Sequence, residues 1–204
     1  MSATKKPART QQDRKDQAEE ALLNAAEHLI TEQGIEKTSL AQIGELAGYS
    51  RGLVNHHFGS KNALLARLSE RMQRDFAKSQ GESRQRNGLE TLLRTVDQYF
   101  RMKHARGTRG GTFFLIWANA INAQDNTSFS RTEEVARDQI KRILQVGLED
   151  GSISSSVNPD SLALITVAIL RGIALQALID PKKIRLLKER ERVLTFLRES
   201  LGTE

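Results

Sequence analysis

Residues 38–61 read TSLAQIGELAGYSRGLVNHHFGSK, and this stretch decides the interpretation of the whole chain. Its first half predicts a short helix, because apolar residues recur at helical spacing on one face: Leu40, Ile43, Leu46 and Ala47. Either Thr38 or Ser39 can cap the start of this helix with a side-chain oxygen. Gly48 follows at once and supplies the left-handed backbone that ends a helix.

The second half predicts another short helix, packed on its neighbours because it is too short to be stable alone. Ser50 can cap it, and Val54 and Phe58 lie four residues apart on one inward face. Small, basic and amide side chains occupy the rest of its surface: Arg51, Gly52, Leu53, Asn55, His56 and His57. Two helices joined by a tight turn, with such side chains on the second, are typical of a helix-turn-helix that reads base edges in a DNA major groove.

At these residues the chain resembles the DNA-binding domain of the TetR family of bacterial transcriptional repressors. The matching positions are Thr38, Leu40, Ile43, Ala47, Gly48, Ser50, Gly52, Val54, His56, Phe58, Ser60 and Lys61. The resemblance is specific because the turn, the caps, the apolar pair and the trailing Ser-Lys fall in register together. It departs at Leu53, Asn55 and His57, where the family usually has Thr, Tyr and Tyr. These departures change the expected operator sequence and leave the expected fold intact.

The resemblance implies DNA contacts for Thr38, Ser39, Ser50, Arg51, Gly52, Leu53, Asn55, His56, His57 and Lys61. We expect Arg51 to fork onto a guanine, which is worth about 1–3 kcal/mol of discrimination. Gly52 allows close approach, and Leu53 can touch a thymine methyl group. The later helix residues and Lys61 fall where family members grip phosphates, which positions the protein without specifying sequence. A hydroxyl or helix N-terminal amide at residues 38–39 can add a further phosphate contact.

Composition predicts an all-α protein, since helix formers dominate the 204 residues and no segment alternates apolar and polar residues as a strand would. That length suits a small reading head on a larger helical body better than two independent domains. We predict three regions: a flexible basic arm at 1–13, an N-terminal three-helix helix-turn-helix DNA-binding domain at 14–60, and a helical effector-binding and dimerisation domain at 61–204.

The charge pattern favours a polyanionic partner, here a double-stranded DNA operator. The net charge is +6, and no acidic residue occurs between Glu45 and Glu70. A second group of basic residues opens the chain: Lys5, Lys6, Arg9, Arg14 and Lys15. We expect this arm to be disordered in the free protein, which is compatible with ordering along a minor groove.

Helical periodicity extends along the body. Helices are predicted at about 14–33, closed by Gly34, and at 60–79, 89–102, 112–124, 128 or 132 to 149, 158–180 and 184–201. Loops are predicted at 81–88 and at the glycine-rich 104–111, where a phosphate cradle is disfavoured because the glycines do not have P-loop spacing. We therefore expect ordinary connecting loops at 81–88 and 104–111.

The last two predicted helices carry more apolar surface than a small bundle hides, which indicates a homodimer. Gly172 permits close approach, and the candidate interface residues are Ile169, Gly172, Ile173, Leu187, Leu194 and Leu201. The resemblance implies that these two helices pair with their copies in a four-helix dimer interface. A two-fold axis would present two reading helices to major grooves about 34 Å apart, so the operator should be an inverted repeat.

The resemblance also implies a pocket for a small-molecule effector in the body. Candidate lining residues combine aromatic rings with a few polar groups: Tyr99, Met102, Phe113, Trp117 and Asn119. Aromatic residues at helical spacing are equally typical of ordinary core. The C-terminal part faintly resembles regulators of the choline-to-betaine type, which does not identify the effector.

Several classes of function are disfavoured. The chain has no Cys, which excludes thiolate metal sites. His56 and His57 are adjacent and point about 100° apart on a helix, so they cannot easily share a metal ion. We expect no catalytic residues, no metal and no cofactor. The apolar run at 162–179 falls short of a clean membrane span and no signal peptide is evident, so we expect a cytoplasmic protein. The alternatives are an α-helical adaptor without specific DNA binding and a DNA-binding protein without an effector.

Overall fold

A computed structural model describes residues 10–79, 86–106, 110–122 and 127–202, and in these residues it contains helices and no strand. The helices are α1 (Gln11–Lys37), α2 (Leu40–Ala47), α3 (Arg51–Phe58), α4 (Lys61–Ser79), α5 (Gly88–Arg106), α6 (Thr112–Asn122), α7 (Thr127–Glu149), α8 (Pro159–Ile179) and α9 (Leu186–Leu201). The predicted all-α class is confirmed. The chain divides into two compact units, one ending at Leu68 and the other beginning at Ser69.

The first unit contains α1 to α3 and the start of α4. Helix α1 begins at Gln11, earlier than predicted, because Thr10 and Asp13 form a capping box: the Asp13 amide donates to Thr10 Oγ1 at 3.1 Å and the Thr10 amide to Asp13 Oδ2 at 2.9 Å. The basic residues Lys5, Lys6 and Arg9 of the predicted arm lie outside the described residues. Gly34, with φ 81°, interrupts α1, and one further turn carries the helix to Lys37.

Buried residues of α4 join the core of this first unit. Leu64, Leu65 and Leu68 are buried, and Arg67 forms a 2.7 Å ion pair with Glu19 of α1. The unit therefore extends eight residues past the predicted boundary at residue 60, because these leucines face the same core as the apolar stripe of α1. Helix α4 then continues into the second unit.

The second unit is organised around α5, which packs on α7, α8 and α9. Its core includes Leu92, Val96, Phe100, Leu144 and Leu197, all nearly inaccessible to solvent. The start of α5 lies so close to α7 that a Cβ atom on Gly88 would stand 2.1 Å from the Gly147 amide nitrogen. Glycine is therefore required where these two helices meet.

Several predicted boundaries change in the second unit. Residues His104 and Ala105, predicted as loop, belong to α5, while Gly110 and Gly111 form a short turn before α6. The phosphate-cradle alternative concerned residues 104–111, and of these 107–109 lie outside the described residues, as does most of the 81–88 loop. Helix α7 begins at Thr127, ahead of both predicted starting positions, Ser128 and Thr132. Helix α9 begins at Leu186, two residues later than predicted.

Helix α8 begins as the sequence predicts. Asn158 caps it, accepting a 2.9 Å hydrogen bond from the Ser161 amide, and Pro159 is its first residue. Contrary to the sequence expectation, α8 is long and apolar enough to cross a membrane by length and composition. A core helix of a soluble protein passes the same test, and α8 packs on α5, α7 and α9 through residues such as Ala163, Val167 and Leu170.

Candidate functional site

Helix α3 is the candidate reading helix, and local chemistry fixes both its ends. Ser50 Oγ accepts a hydrogen bond from the Leu53 amide at 3.2 Å, and Gly59, with φ 72°, ends the helix. Val54 and Phe58 are buried, as predicted. The helix is thus anchored along one face, and the opposite face is left to solvent.

The turn between α2 and α3 is equally constrained. Gly48 adopts φ 77°, which only glycine tolerates easily, and the Tyr49 amide donates to the Gly44 carbonyl at 2.8 Å. Gly44 is buried, and a Cβ atom there would lie 2.8 Å from the Tyr49 carbonyl oxygen and 3.0 Å from Val54 Cγ2. The spacing of the two helices therefore depends on the absence of a side chain at Gly44.

The predicted contact residues of α3 lie on its exposed side. Arg51, Gly52, Asn55 and His56 are exposed, and Leu53 and His57 are half-buried. Arg51 and Asn55 are four residues apart, as are Gly52 and His56, so both pairs lie along one strip of the helix. This strip gives a guanidinium, an amide, an imidazole and a gap without a side chain, which suits contact with base edges and phosphates.

The residues that flank α3 differ in their exposure and in whether their polar groups have internal hydrogen-bond partners. Ser39 is exposed, and its hydroxyl oxygen accepts a hydrogen bond from the Gln42 amide at 3.2 Å. Of the two candidate caps for α2, Ser39 therefore caps the helix and Thr38 does not. Thr38 is buried, and its hydroxyl donates to the Gly34 carbonyl at 2.8 Å. The Thr38 hydroxyl therefore already has an internal hydrogen-bond partner, and its phosphate contact stays a prediction.

Lys61 also has an internal partner. Its Nζ donates to the carbonyl oxygen of Ile35, near the end of α1, at 2.5 Å, and the residue is half-buried. A cation near a helix C-terminus stabilises the helix dipole. Lys61 therefore supports the first unit in addition to the phosphate contact predicted for it.

The second unit contains a cavity of about 360 Å³ among α4, α5, α6, α7 and α8. Its wall is largely apolar and aromatic, with Phe76 and Tyr99 packed edge to face at 5.9 Å between ring centroids. The predicted pocket residues Tyr99, Met102 and Phe113 line it. A cavity of this size lies at the low end of the range for small-molecule sites, about 300–1,000 Å³.

Charged groups lie against the aromatic wall. The ammonium of Lys103 is 5.2 Å from the centroid of Phe113, and the guanidinium carbon of Arg171 is 5.0 Å from the same centroid. Arg171 forms an ion pair with Glu133 of α7. Burial lowers the pKa of Arg171 to about 10, and burial raises the pKa of Tyr99. At neutral pH, Arg171 is therefore charged and the Tyr99 phenol keeps its proton.

A second cavity of about 500 Å³ lies among α6, α7 and α8 and shares Arg171 with the first. Trp117 lines this second cavity. Asn119 is half-buried and lines neither, because a step of two residues along α6 turns it about 200° from Trp117. Four of the five predicted pocket residues are therefore divided between two cavities, and Asn119 lines neither.

Comparison with known proteins identifies the first unit. Residues 22–68 match the sequence model of a family described as bacterial regulatory proteins, tetR family. These residues cover the apolar part of α1, the helix-turn-helix and the start of α4. The first unit is therefore a TetR-type DNA-binding domain, and the matches support a TetR-family transcriptional regulator. Proteins of this family are transcriptional regulators and not enzymes.

Other TetR-type proteins resemble the chain over nearly its whole length. The HTH-type transcriptional regulator BetI of Vibrio vulnificus is 23% identical over 185 residues, which cover 88% of this chain and 90% of that protein. A putative transcriptional regulator from Saccharomonospora viridis, solved with choline, has a TM-score of 0.78 at 17% identity, covering 93% and 100%. FadR from Bacillus subtilis, solved with stearoyl-CoA, has a TM-score of 0.76 at 15% identity, covering 89% and 98%. The two structures establish the fold alone.

Helices α8 and α9 leave apolar side chains exposed. Leu164, Ile165 and Ile179 of α8 are each about half exposed or more, as is Phe196 of α9. The predicted interface residues Ile169, Gly172, Ile173 and Leu194 are half-buried, Leu187 is exposed, and Leu201 is buried in the core. Leu201 is thus unavailable to a partner in this arrangement, because its side chain packs with Leu92 and Leu197.

Sequence reasoning missed the polar side chains of the first cavity, above all Lys103, Gln73 and Arg171. One signal was present, since Arg171 interrupts an otherwise apolar helix. A charged residue there requires a buried partner or a polar space. Among the described residues, no group of three or more His, Asp or Glu side chains gathers as a metal site.

Proposed function

We propose that this chain is a cytoplasmic, dimeric repressor that binds an inverted-repeat operator and is controlled by a small molecule in the first cavity. One observation carries the DNA-binding part. Helix α3 is capped and buried along Val54 and Phe58, and it exposes Arg51, Gly52 and Asn55 on the opposite side. No acidic residue lies between Glu45 and Glu70 to repel phosphates.

We assign base recognition to the first turn of α3 and phosphate contact to its surroundings. Arg51 would fork onto a guanine, Gly52 would admit close approach, and Leu53 would meet a thymine methyl group. Phosphate contacts fall to exposed or half-buried groups nearby: Ser39, Asn55, His56, His57 and Lys61. Ser50 acts through its cap, since its hydroxyl oxygen accepts from the Leu53 amide.

The exposed face of α8 and α9 supports the homodimer. Leu164, Ile165, Ile179 and Phe196 form exposed apolar surface that a second copy would cover. Gly172 lies on the same helix and has open space around the position of a Cβ atom, so it offers room for a partner side chain. A two-fold dimer would place two reading helices about 34 Å apart, one helical turn of DNA.

Helix α4 supports effector control because it contributes to both units. Leu64, Leu65 and Leu68 belong to the core of the first, while Met72 and Phe76 line the cavity of the second. A ligand that prefers one conformation of the cavity would bias α4 and hence DNA affinity. Relatives in fold were solved with choline and with stearoyl-CoA, which is consistent with a ligand site in this body.

The testing experiment is selection from a library of random duplexes at two salt concentrations. We expect recovery of an inverted repeat, with affinity falling steeply as salt rises because the protein displaces counterions from phosphates. Arg51→Ala should relax the preference at one position in each half-site. Arg94→Ala, which removes an exposed cation from α5, is the matched control and should change neither affinity nor motif. Uniform weak binding without a motif would refute the proposal and favour the adaptor alternative.

The dimer has its own test. Ile165→Asp puts a charge on the exposed apolar face of α8, whereas Val146→Asp puts the same charge on α7, at a similarly exposed valine. We expect sedimentation velocity to report a monomer for Ile165→Asp and a dimer for Val146→Asp and the parent. A dimeric Ile165→Asp protein would place the interface elsewhere.

A further inference from the structure

The aromatic rings Tyr99 and Phe113 of the first cavity, and Phe114 beside them, already hold cations that belong to the protein. The Lys103 ammonium lies 5.7, 5.2 and 5.1 Å from the ring centroids of Tyr99, Phe113 and Phe114. Arg171 lies 5.0 Å from the centroid of Phe113. Ring faces attract a cation through their quadrupole, and here that attraction is satisfied from within. A ligand ammonium at these rings would therefore meet two like charges.

Basic side chains outnumber acidic ones around this cavity. Among the described residues that line it, four are basic and one is acidic: Arg74, Lys103, Arg131, Arg171 and Glu70. Glu133 adds a second acid through its ion pair with Arg171. Arg74 and Arg131 are exposed and therefore screened by solvent, whereas Lys103 and Arg171 are half-buried. The charges of Lys103 and Arg171 are screened less, and they favour a negatively charged ligand.

The hydrogen-bond donors of the cavity wall also favour a negatively charged ligand. The amide Nε2 of Gln73, a residue of the cavity wall, is buried and has no acceptor among the described residues. Tyr99 adds a phenol that keeps its proton because burial raises its pKa. Buried donors are normally paired, so the wall calls for an acceptor. A carboxylate has two oxygens to offer, and a quaternary ammonium has none.

We propose that the effector of the first cavity is an apolar carboxylate, with its hydrocarbon part against Met72, Phe76 and Phe113 and its carboxylate near Lys103 and Arg171. This inference rests on the proposed function for the identity of the cavity as the effector site. It departs from the choline seen in the Saccharomonospora viridis structure. A quaternary ammonium would add a positive charge to a wall that already has an excess of them.

The test is calorimetric titration of the full-length protein with ligands that differ only in the head group: decanoate, methyl decanoate and decyltrimethylammonium. Hexanoate and 3-phenylpropanoate extend the carboxylate series in length and shape. A charge-assisted hydrogen bond corresponds to about ten-fold to hundred-fold in affinity, so the best carboxylate should exceed its neutral ester by that factor. We expect decyltrimethylammonium to bind more weakly still. Equal or tighter binding of the cation, or no binding of any carboxylate, would overturn the inference.

Variants locate the carboxylate in the cavity. Lys103→Gln should weaken decanoate binding about ten-fold or more and leave methyl decanoate unchanged. Lys78→Gln removes an exposed cation from α4 outside the cavity and is the matched control. Gln73→Met is a second probe, since it keeps the volume of the side chain and removes the orphaned donor, and it should weaken decanoate several-fold. Unchanged decanoate binding in both cavity variants would overturn the assignment.

The two proposals fail separately. If the protein selects an inverted repeat but binds the ammonium in preference to the carboxylates, the proposed function stands and the effector class is wrong. If decanoate binds with the expected dependence on Lys103 but no DNA motif is recovered, the ligand class of the cavity stands and the proposed function is wrong.

Discussion

Adding a single methyl group at Gly44 tests the geometry on which the reading helix depends. In Gly44→Ala the new Cβ would lie 2.8 Å from the Tyr49 carbonyl oxygen and 3.0 Å from Val54 Cγ2. The first contact is with backbone, so the α2–α3 turn must move. Overpacking of this kind costs about 1–3 kcal/mol. Weakening of the hydrogen bond from the Tyr49 amide to the Gly44 carbonyl adds about 1 kcal/mol.

Helix propensity offsets part of this cost, since alanine is favoured over glycine in a helix by about 1 kcal/mol. The net destabilisation of α2–α3 is then about 1–3 kcal/mol, which raises the local opening constant about 5-fold to 150-fold. Hydrogen exchange on peptides that cover α2 and α3 measures this constant directly.

Gly52→Ala is the matched control, because it adds the same methyl group to α3 at a point where the nearest atom is Ser50 Oγ at 3.7 Å. We expect its exchange protection to equal or slightly exceed that of the parent. Its operator affinity should fall, since the added group faces the proposed DNA surface. If Gly44→Ala exchanged as slowly as the parent, the argument that a missing side chain sets the helix spacing would be refuted.

Three further predictions concern stability and charge. Thr166→Val removes a buried hydroxyl that has no partner among the described residues, so urea denaturation should show a gain of about 1 kcal/mol; a loss would indicate an unseen partner. Lys61→Met removes the hydrogen bond to the Ile35 carbonyl and a proposed phosphate contact. We expect the free energy of unfolding to fall by about 1 kcal/mol, and the slope of log DNA affinity against log salt concentration to become smaller by about 0.9. Hydrogen bonds from the side chain and amide of Ser152 lower the pKa of the Asp150 carboxyl below its ordinary value of 3.8. The contribution of Asp150 to folding stability is therefore complete above pH 3.8 and is lost as the pH falls through the lowered pKa. Asp150→Asn should therefore flatten the acid limb of the stability profile, and an unchanged limb would contradict this account.

The helix-turn-helix was predictable because its determinants are local. Ser39, Gly48 and Ser50 act on amides or dihedral angles within three residues, and Val54 and Phe58 follow from helical spacing. Leu46 was predicted to face the core and is 51% exposed instead. Spacing alone gives a broad stripe in so short a helix, and only the packing of its neighbours decides which edge of the stripe is covered.

The internal partners of the site residues were not predictable, because they come from distant parts of the chain. Lys61 bonds a carbonyl 26 residues away, and Arg171 of α8 pairs with Glu133 of α7. The first cavity combines residues from five helices whose mutual placement no local pattern encodes. Aromatic residues could be predicted to face inward, but whether they enclose a space or fill one depends on tertiary packing.

The single tryptophan of the chain lies in the wall of the second cavity, which shares Val167 and Arg171 with the first. Indole emission responds to the polarity of its surroundings, so Trp117 is a natural fluorophore in a cavity next to the proposed ligand site. We expect a ligand that contacts Arg171 in the first cavity to change the light emitted by Trp117. Small-molecule libraries can thus be screened optically against the unlabelled protein before any operator is known.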